Sequence, residues 1–180
     1  MKTPICDFVR DYIQKDVTRL HMPGHKGQMP GDITEIPGAD CLYCSDGIIA
    51  QSQENASALF GSFKTVYSAE GASLAIRAMV YLTRLYAGRR PVIAAGRNAH
   101  KTFVTAAALL DADVRWLWPG EQEDCLSCKV SPEQLEQFLR ENAVDAVYIT
   151  SPDYLGNVAD IASLATACHR HGSLLLVDNA

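Results

Sequence analysis

The sequence predicts an α/β fold: a mostly parallel sheet with helices on both faces, preceded by a short N-terminal segment of helix and loop. Three observations carry this expectation. From residue 63 onward, short apolar runs alternate with longer helical patterns. Those runs, such as PVIAA at 91–95, DAVYIT at 145–150 and SLLLV at 173–177, are apolar throughout their interiors, as strands covered on both faces are. Gly88 and Gly172 follow helical stretches at the positions where helix stop signals belong.

The elements follow in order. Residues 5–15 place Ile5, Phe8, Val9 and Tyr12 on one side of a short helix. The stretch HMPGHKGQMPGD at 21–32 can form neither a helix nor a central strand. Asp46 is positioned to cap a helix over 47–60 that stops at Gly61. Residues 63–67 read as a short strand, followed by helix 72–87, strand 91–95, helix 100–110 and strand 113–118. After a polar loop over 119–130, Ser131, Pro132 and Gln134 supply an N-cap, a first-position proline and the third member of a capping box, for a helix ending near Glu141. Strand 145–150, helix 158–171 and strand 173–177 complete the series. This divides the chain into an N-terminal part, 1–61, and a large domain, 62–180, incomplete at its C-terminus. The sequence stops directly after an apolar strand, which reads as the front part of a longer polypeptide.

With 180 residues, 48% of them hydrophobic, the chain can build one core and bury roughly 70% of its unfolded surface. A net charge of −5 and scattered Lys and Arg argue against a nucleic-acid partner. Asp7, Arg10 and Asp11 interrupt any signal-peptide core, and no apolar run is long enough to span a membrane. A cytoplasmic, reducing setting with free thiols is the default expectation. Cys41/Cys44 and Cys125/Cys128 have zinc-knuckle spacing, but the 80 residues between the pairs read as regular α/β structure, so two incidental pairs are expected and no metal site.

Parallel sheets bind ligands at the carboxyl ends of their strands, and the chemistry-bearing groups fall there. Gly71, Ala72 and Ser73 open a helix whose N–H groups suit a phosphate, or they form an ordinary helix start. His100 follows one strand, as a ring for a ligand or as a helix cap. Ser151 follows another, and Asp178 ends a third, as a buried acid or as a cap for the next helix. His21 and His25 are four apart, but Pro23 and Gly24 forbid the helix that a metal pair at that spacing requires.

Taken together the motifs resemble those of the pyridoxal-phosphate (PLP)-dependent ornithine/lysine/arginine decarboxylase family, over nearly the whole chain. HMPGHK at 21–26 is similar to that family's F-H-x-P-G-H-K, and EGAS at 70–73 to its N-G-T-S/T phosphate turn. RNAHK at 97–101 is similar to R-N-x-H-K, TSPDY at 150–154 to T-x-P-T-Y, and LVD at 176–178 to the start of L-V-D-E-A-H-G-A-H. EIPGAD at 35–40, with LFG at 59–61, is similar to E-L-x-G-L-D…L-Y/F-G.

The resemblance implies part of a fold type I PLP-transferase large domain, with PLP as cofactor and a basic amino acid decarboxylated to its amine. It implies that Gly71, Ala72 and Ser73 hold the phosphate, that His100 stacks on the ring, that Asp178 holds the pyridine nitrogen proton, and that Ser151 lies by the phenolic oxygen. At about 4 Å and an effective dielectric near 20, an aspartate would favour that proton by about 4 kcal/mol before desolvation. His21, His25 and Lys26 would belong to an active-site loop. Ala72, Glu70 and Asn179 depart from the family, which usually has a hydroxyl residue, Asn and Glu there. The family's Schiff-base lysine follows the aspartate, so Lys101 does not fill that place; the expected lysine lies beyond residue 180, and this chain by itself is expected to be inactive. A homodimer, or a larger assembly of dimers, is implied in the same way. Two other readings remain open: a non-catalytic relative acting by association, and another fold type I enzyme such as an aminotransferase or lyase. A flavodoxin-like nucleotide-binding domain is possible on fold alone, but no Walker or GxGxxG loop is present.

Overall fold

A computed structural model describes residues 2–119 and 126–179. The chain forms two compact units, Met1–Tyr67 and Ser68–Ala180.

The first unit holds two helices, α1 (Pro4–Gln14) and α2 (Ile48–Phe60), joined by irregular chain. No residue of either helix is buried. The cap expected from Asp46 is supplied instead by Asp40: its carboxylate accepts from the N–H groups of Gly47 and Ile49, each at 2.9 Å, at the start of α2. Cys41 and Asp46 N–H groups donate to its other oxygen at 2.7 and 3.3 Å. Partial desolvation pushes this carboxyl up, but the four backbone donors outweigh it and hold the carboxyl down at about 2. The strand expected over 63–67 does not form. Thr65 N–H donates to Ser57 Oγ at 2.8 Å and the Tyr67 hydroxyl to the Ser52 carbonyl at 3.0 Å, so the segment is pinned to α2 rather than to a neighbouring strand.

The second unit is a three-layer α/β sandwich. Its elements run α3 (Gly71–Ala87), β1 (Val92–Gly96), α4 (Lys101–Leu109), β2 (Asp113–Leu117), α5 (Pro132–Glu141), β3 (Ala146–Thr150), α6 (Ile161–Arg170) and β4 (Leu174–Asp178). The four strands are parallel, in the order β2-β1-β3-β4. α3 ends where Gly88 takes the left-handed conformation at φ 64, which a side chain would strain. α5 starts with the full capping box of Ser131 and Gln134. α6 begins three residues later than the sequence pattern suggests, because Asp160 accepts from Ser163 N–H at 3.1 Å and fixes the start there.

Side-chain alternation along the strands splits the core in two. Ile93, Ala95, Ala146, Tyr148 and Leu176 pack against Ile76 and Val80 of α3 and Phe103 and Ala106 of α4. Ala94, Leu117, Val147 and Ile149 pack against Leu135 and Leu139 of α5 and Leu164 and Ala167 of α6. Each fully buried large side chain contributes about 1.5–3 kcal/mol. β1 leads through α4 to β2 on one side, while β3 leads through α6 to β4 on the other. The connections therefore diverge between β1 and β3, and a crevice opens at the carboxyl ends of these strands.

Candidate functional site

The crevice contains a cavity of about 220 Å3 whose walls come from four places in the chain. Ala72, Ser73 and Ile76 come from the first turns of α3, His100 from the turn after β1, Thr150 to Tyr154 (without Ser151) from the exit of β3, and Asp178 from the end of β4. The strand order brings these positions together. Thr150 pairs in register with Asp178, and Tyr148 with Leu176, so the even-numbered residues of β3 and β4 share the face that α3 covers.

Asp178 forms a wall of this cavity and is only 6% exposed. The Tyr148 hydroxyl donates to Asp178 Oδ2 at 2.7 Å. Tyr148 is fully buried and its ring stacks on Phe103, with centroids 4.3 Å apart. Burial and the neighbouring carboxylate both push the phenol far above its ordinary range, so it stays a donor.

α3 begins at Gly71, which sits at φ 63, a conformation open to glycine. The residue before it, Glu70, gives no side-chain cap, so the first-turn N–H groups of this 17-residue helix receive no such partner. The Ser73 hydroxyl lies 3.3 Å from Thr102 Oγ1, which is 3.0 Å from His100 Nδ1. The same His100 Nδ1 accepts from Thr102 N–H at 3.2 Å. His100 thus caps α4 and lines the cavity at once, and a neutral ring that accepts at Nδ1 carries its proton on Nε2.

The remaining residues singled out by the sequence lie elsewhere. Ser151 is buried, its hydroxyl accepts from Ala159 N–H at 3.0 Å, and it does not line the cavity. Lys101 is exposed on the first turn of α4 and is also absent from the cavity wall. In the first unit, the Tyr12 hydroxyl pairs with His21 Nε2 at 2.9 Å, and His25 Nδ1 accepts from Gly27 and Met29 N–H at 3.2 and 3.4 Å. Lys26 follows at φ 54. Among the described residues no group of three or more His, Cys, Asp or Glu could hold a metal ion. Cys41 and the Asp46 and Asp40 carboxylates push the Cys44 thiol up, away from the thiolate that ligation needs. Cys125 lies outside the described residues.

The sequence motif TSPDY at 150–154 pointed to this place, but only Ser151 in it was given a role, whereas the wall is formed by Thr150, Pro152, Asp153 and Tyr154; Tyr148 was missed outright. Tyr148 carried a signal: a tyrosine inside a buried apolar strand must find a partner for its hydroxyl. Asp153 forms part of the cavity wall and ties its own turn together. Its carboxylate accepts from Ser127 Oγ at 2.7 Å, from Asn157 N–H and Nδ2 at 2.8 Å each, and from Leu155 N–H at 2.9 Å. Against a desolvation that raises it, these donors hold the carboxyl down at about 2. A larger cavity of about 460 Å3 opens on the α5/α6 face and shares Thr150 and Asp153 with the first.

A family model described as Orn/Lys/Arg decarboxylase, major domain, matches residues 27–180. The chain belongs to this family. Among curated relatives, this decarboxylase-family chain is 28% identical over 200 residues to the uncharacterized protein YaaO of Bacillus subtilis (strain 168), covering 100% of the chain and 40% of the relative. It is 28% identical over 196 residues to an arginine decarboxylase of the same organism, covering 99% of the chain and 39% of the relative. The chain thus spans about two fifths of the length of these relatives. Among solved structures it is similar to the SepCysS–SepCysE N-terminal domain complex, with a TM-score of 0.60 and 18% identity over 78% of this chain and 38% of that one. The fold class is the expected one, a parallel α/β sheet forming part of a fold type I large domain.

Proposed function

We propose that this chain forms the cofactor-binding part of a PLP-dependent decarboxylase that converts a basic amino acid to its amine and CO2. One observation carries the reading beyond family membership: a single cavity at the divergence of the sheet gathers Ala72, Ser73, His100 and Asp178. A helix start without a side-chain cap, the Ser73 hydroxyl, an imidazole and a buried carboxylate make a donor and acceptor set that fits PLP. When bound, the cofactor would supply an electron sink for the pair left on Cα as CO2 departs.

The residues of the chain would do the rest. Gly71, Ala72 and Ser73 would bind the phosphate through N–H groups and the Ser73 hydroxyl. Asp178, in its dry setting, would hold a proton at the ring nitrogen. His100 would cover one side of the ring, its orientation fixed by Thr102. Glu70 is the poorest fit, an acid beside an anion site, and Ala72 brings no hydroxyl to it. No lysine lines the cavity, so the covalent anchor of the family is not in this wall, and the chain alone is proposed not to turn over. A homodimer or an assembly of dimers belongs to the same reading. The relatives named arginine decarboxylase make arginine the first substrate to test, ahead of lysine and ornithine.

The test is to mix the chain with PLP, reduce with borohydride, digest, and map any pyridoxyl-lysine by mass. Reversible binding that Asp178→Asn weakens at least tenfold, with no stoichiometric label on Lys101, is the expected result. Stoichiometric labelling of Lys101, or amine release by the chain alone, would overturn the proposal that the chain lacks its anchor. PLP affinity indifferent to Asp178→Asn would overturn the site.

A further inference from the structure

We propose that Tyr148 is a positioning residue for Asp178: its hydroxyl fixes one carboxylate oxygen and thereby turns the other into the cavity. The proposal rests on the reading of Asp178 as the partner of the cofactor's ring nitrogen, and deepens it. A carboxylate at the end of a strand can rotate about two side-chain bonds, and an acid that swings loses alignment with a proton only one hydrogen bond away. Here Oδ2 receives the Tyr148 hydroxyl at 2.7 Å, a charge-assisted length. Oδ1 receives no hydrogen bond from the described residues, and Asp178 lines the cavity, which leaves Oδ1 as the oxygen available to a ligand.

The anchor itself is rigid. Tyr148 is wholly enclosed, its ring stacked on Phe103 at an interplanar angle of 28°, and Phe103 in turn meets the edge of Trp116 with centroids 6.2 Å apart. The hydroxyl oxygen therefore has one accessible position, where the Asp178 carboxylate is its acceptor at 2.7 Å and the Thr150 hydroxyl is a second polar neighbour. The strand register sets the geometry: Tyr148 lies two residues before Thr150, the register partner of Asp178, on the same face of the sheet. Orientation by a buried, protonated donor would lower the freedom Asp178 must give up when a ligand arrives, and so tighten binding.

The experiment compares the full chain with Tyr148→Phe and Asp178→Asn, in two readouts. Tyr148→Phe keeps the ring and its stacking, and circular dichroism checks that it folds. In the first readout, without cofactor, the infrared difference between wild type and Asp178→Asn isolates the carboxylate stretch of Asp178, and Tyr148→Phe is expected to move that band. In the second, PLP affinity by titration is expected to fall roughly tenfold in Tyr148→Phe, as for the loss of one hydrogen bond to a charged group. An unmoved band would overturn the inference, because the hydroxyl then does not hold the carboxylate. A moved band with unchanged affinity would also overturn it, leaving Tyr148 a packing residue. Affinity unchanged in Asp178→Asn would instead sink the reading of the site, whatever Tyr148 does.

Discussion

Glu70 is the residue at which this site departs furthest from a phosphate cradle. It precedes the first turn of α3, where the helix dipole favours an acid when nothing is bound but where an incoming phosphate meets a like charge. Replacing Glu70 by Asn is therefore expected to tighten PLP binding about five- to tenfold at low ionic strength, with the gain shrinking as salt is added. A titration of PLP into both proteins at two salt concentrations checks this, and equal affinities at low salt would remove Glu70 from the account. At this scale the sequence was informative where a residue's position announces its surroundings. Asp178 ends a strand, His100 follows one and Ser73 stands at a helix start, and the fold carries them to one cavity. Ser151 stood in the same kind of place, yet its hydroxyl turns to Ala159 N–H. Which way a small polar side chain turns depends on the next ten residues of chain, and spacing does not encode that. Tyr148 was hidden for the opposite reason: it sits mid-strand, where a ring reads as packing.

Among the elements, α2 shows how a helix start can depend on a residue far from it in sequence. The sequence offers Asp46 beside the first turn, while the structure uses Asp40, seven and nine residues before its acceptor-bound N–H groups at Gly47 and Ile49. The folded carboxyl is held at about 2, below its ordinary 3.8. A depressed acid stabilises the fold above its unfolded pKa and loses that contribution as pH falls toward the folded value. Protection of the Gly47 and Ile49 amide protons from exchange should therefore decline between about pH 4 and pH 2. Asp40→Asn should abolish that step, and exchange at these two amides that ignores the substitution would refute the cap. The 63–67 segment teaches a related lesson. A five-residue apolar run is compatible with strand or loop, and its hydrogen-bonding partners, Ser52 and Ser57 on α2, decide the matter. The runs VIAA, AVYI and LLLV, with no charge such as Lys64 inside them, left less choice, which is why β1, β3, β4 and the capped α5 were legible to within a residue or two.

At the scale of the molecule, the two units differ in kind. Residues 68–180 bury both faces of a sheet, whereas neither helix of residues 1–67 buries a single residue. A helix pair without a core of its own gains little from burial and still bears the full ordering entropy. Expressed separately, the fragment of residues 68–180 is expected to melt cooperatively with native-like helical circular dichroism, and the fragment of residues 1–67 to give a coil spectrum. A folded 1–67 fragment would refute this account of its stability. The α/β class and the parallel sheet could be read from apolar runs separated by helices, because burial on both faces leaves a composition that no half-exposed strand shares. The strand order could not, since several right-handed arrangements of the same strands satisfy the same pattern. It is that order which sets the crevice between β1 and β3.

The aromatic column behind the cavity also makes the protein its own optical instrument. The chain has two tryptophans, and Trp116 touches Phe103, which stacks on Tyr148, whose hydroxyl rests on Asp178. An emitter thus stands only two rings from the carboxylate at the cavity wall. Any chromophore that settles against Asp178 and absorbs in the near ultraviolet will draw light from that indole, so occupancy of the cavity can be followed by the dimming of native emission, with no label attached.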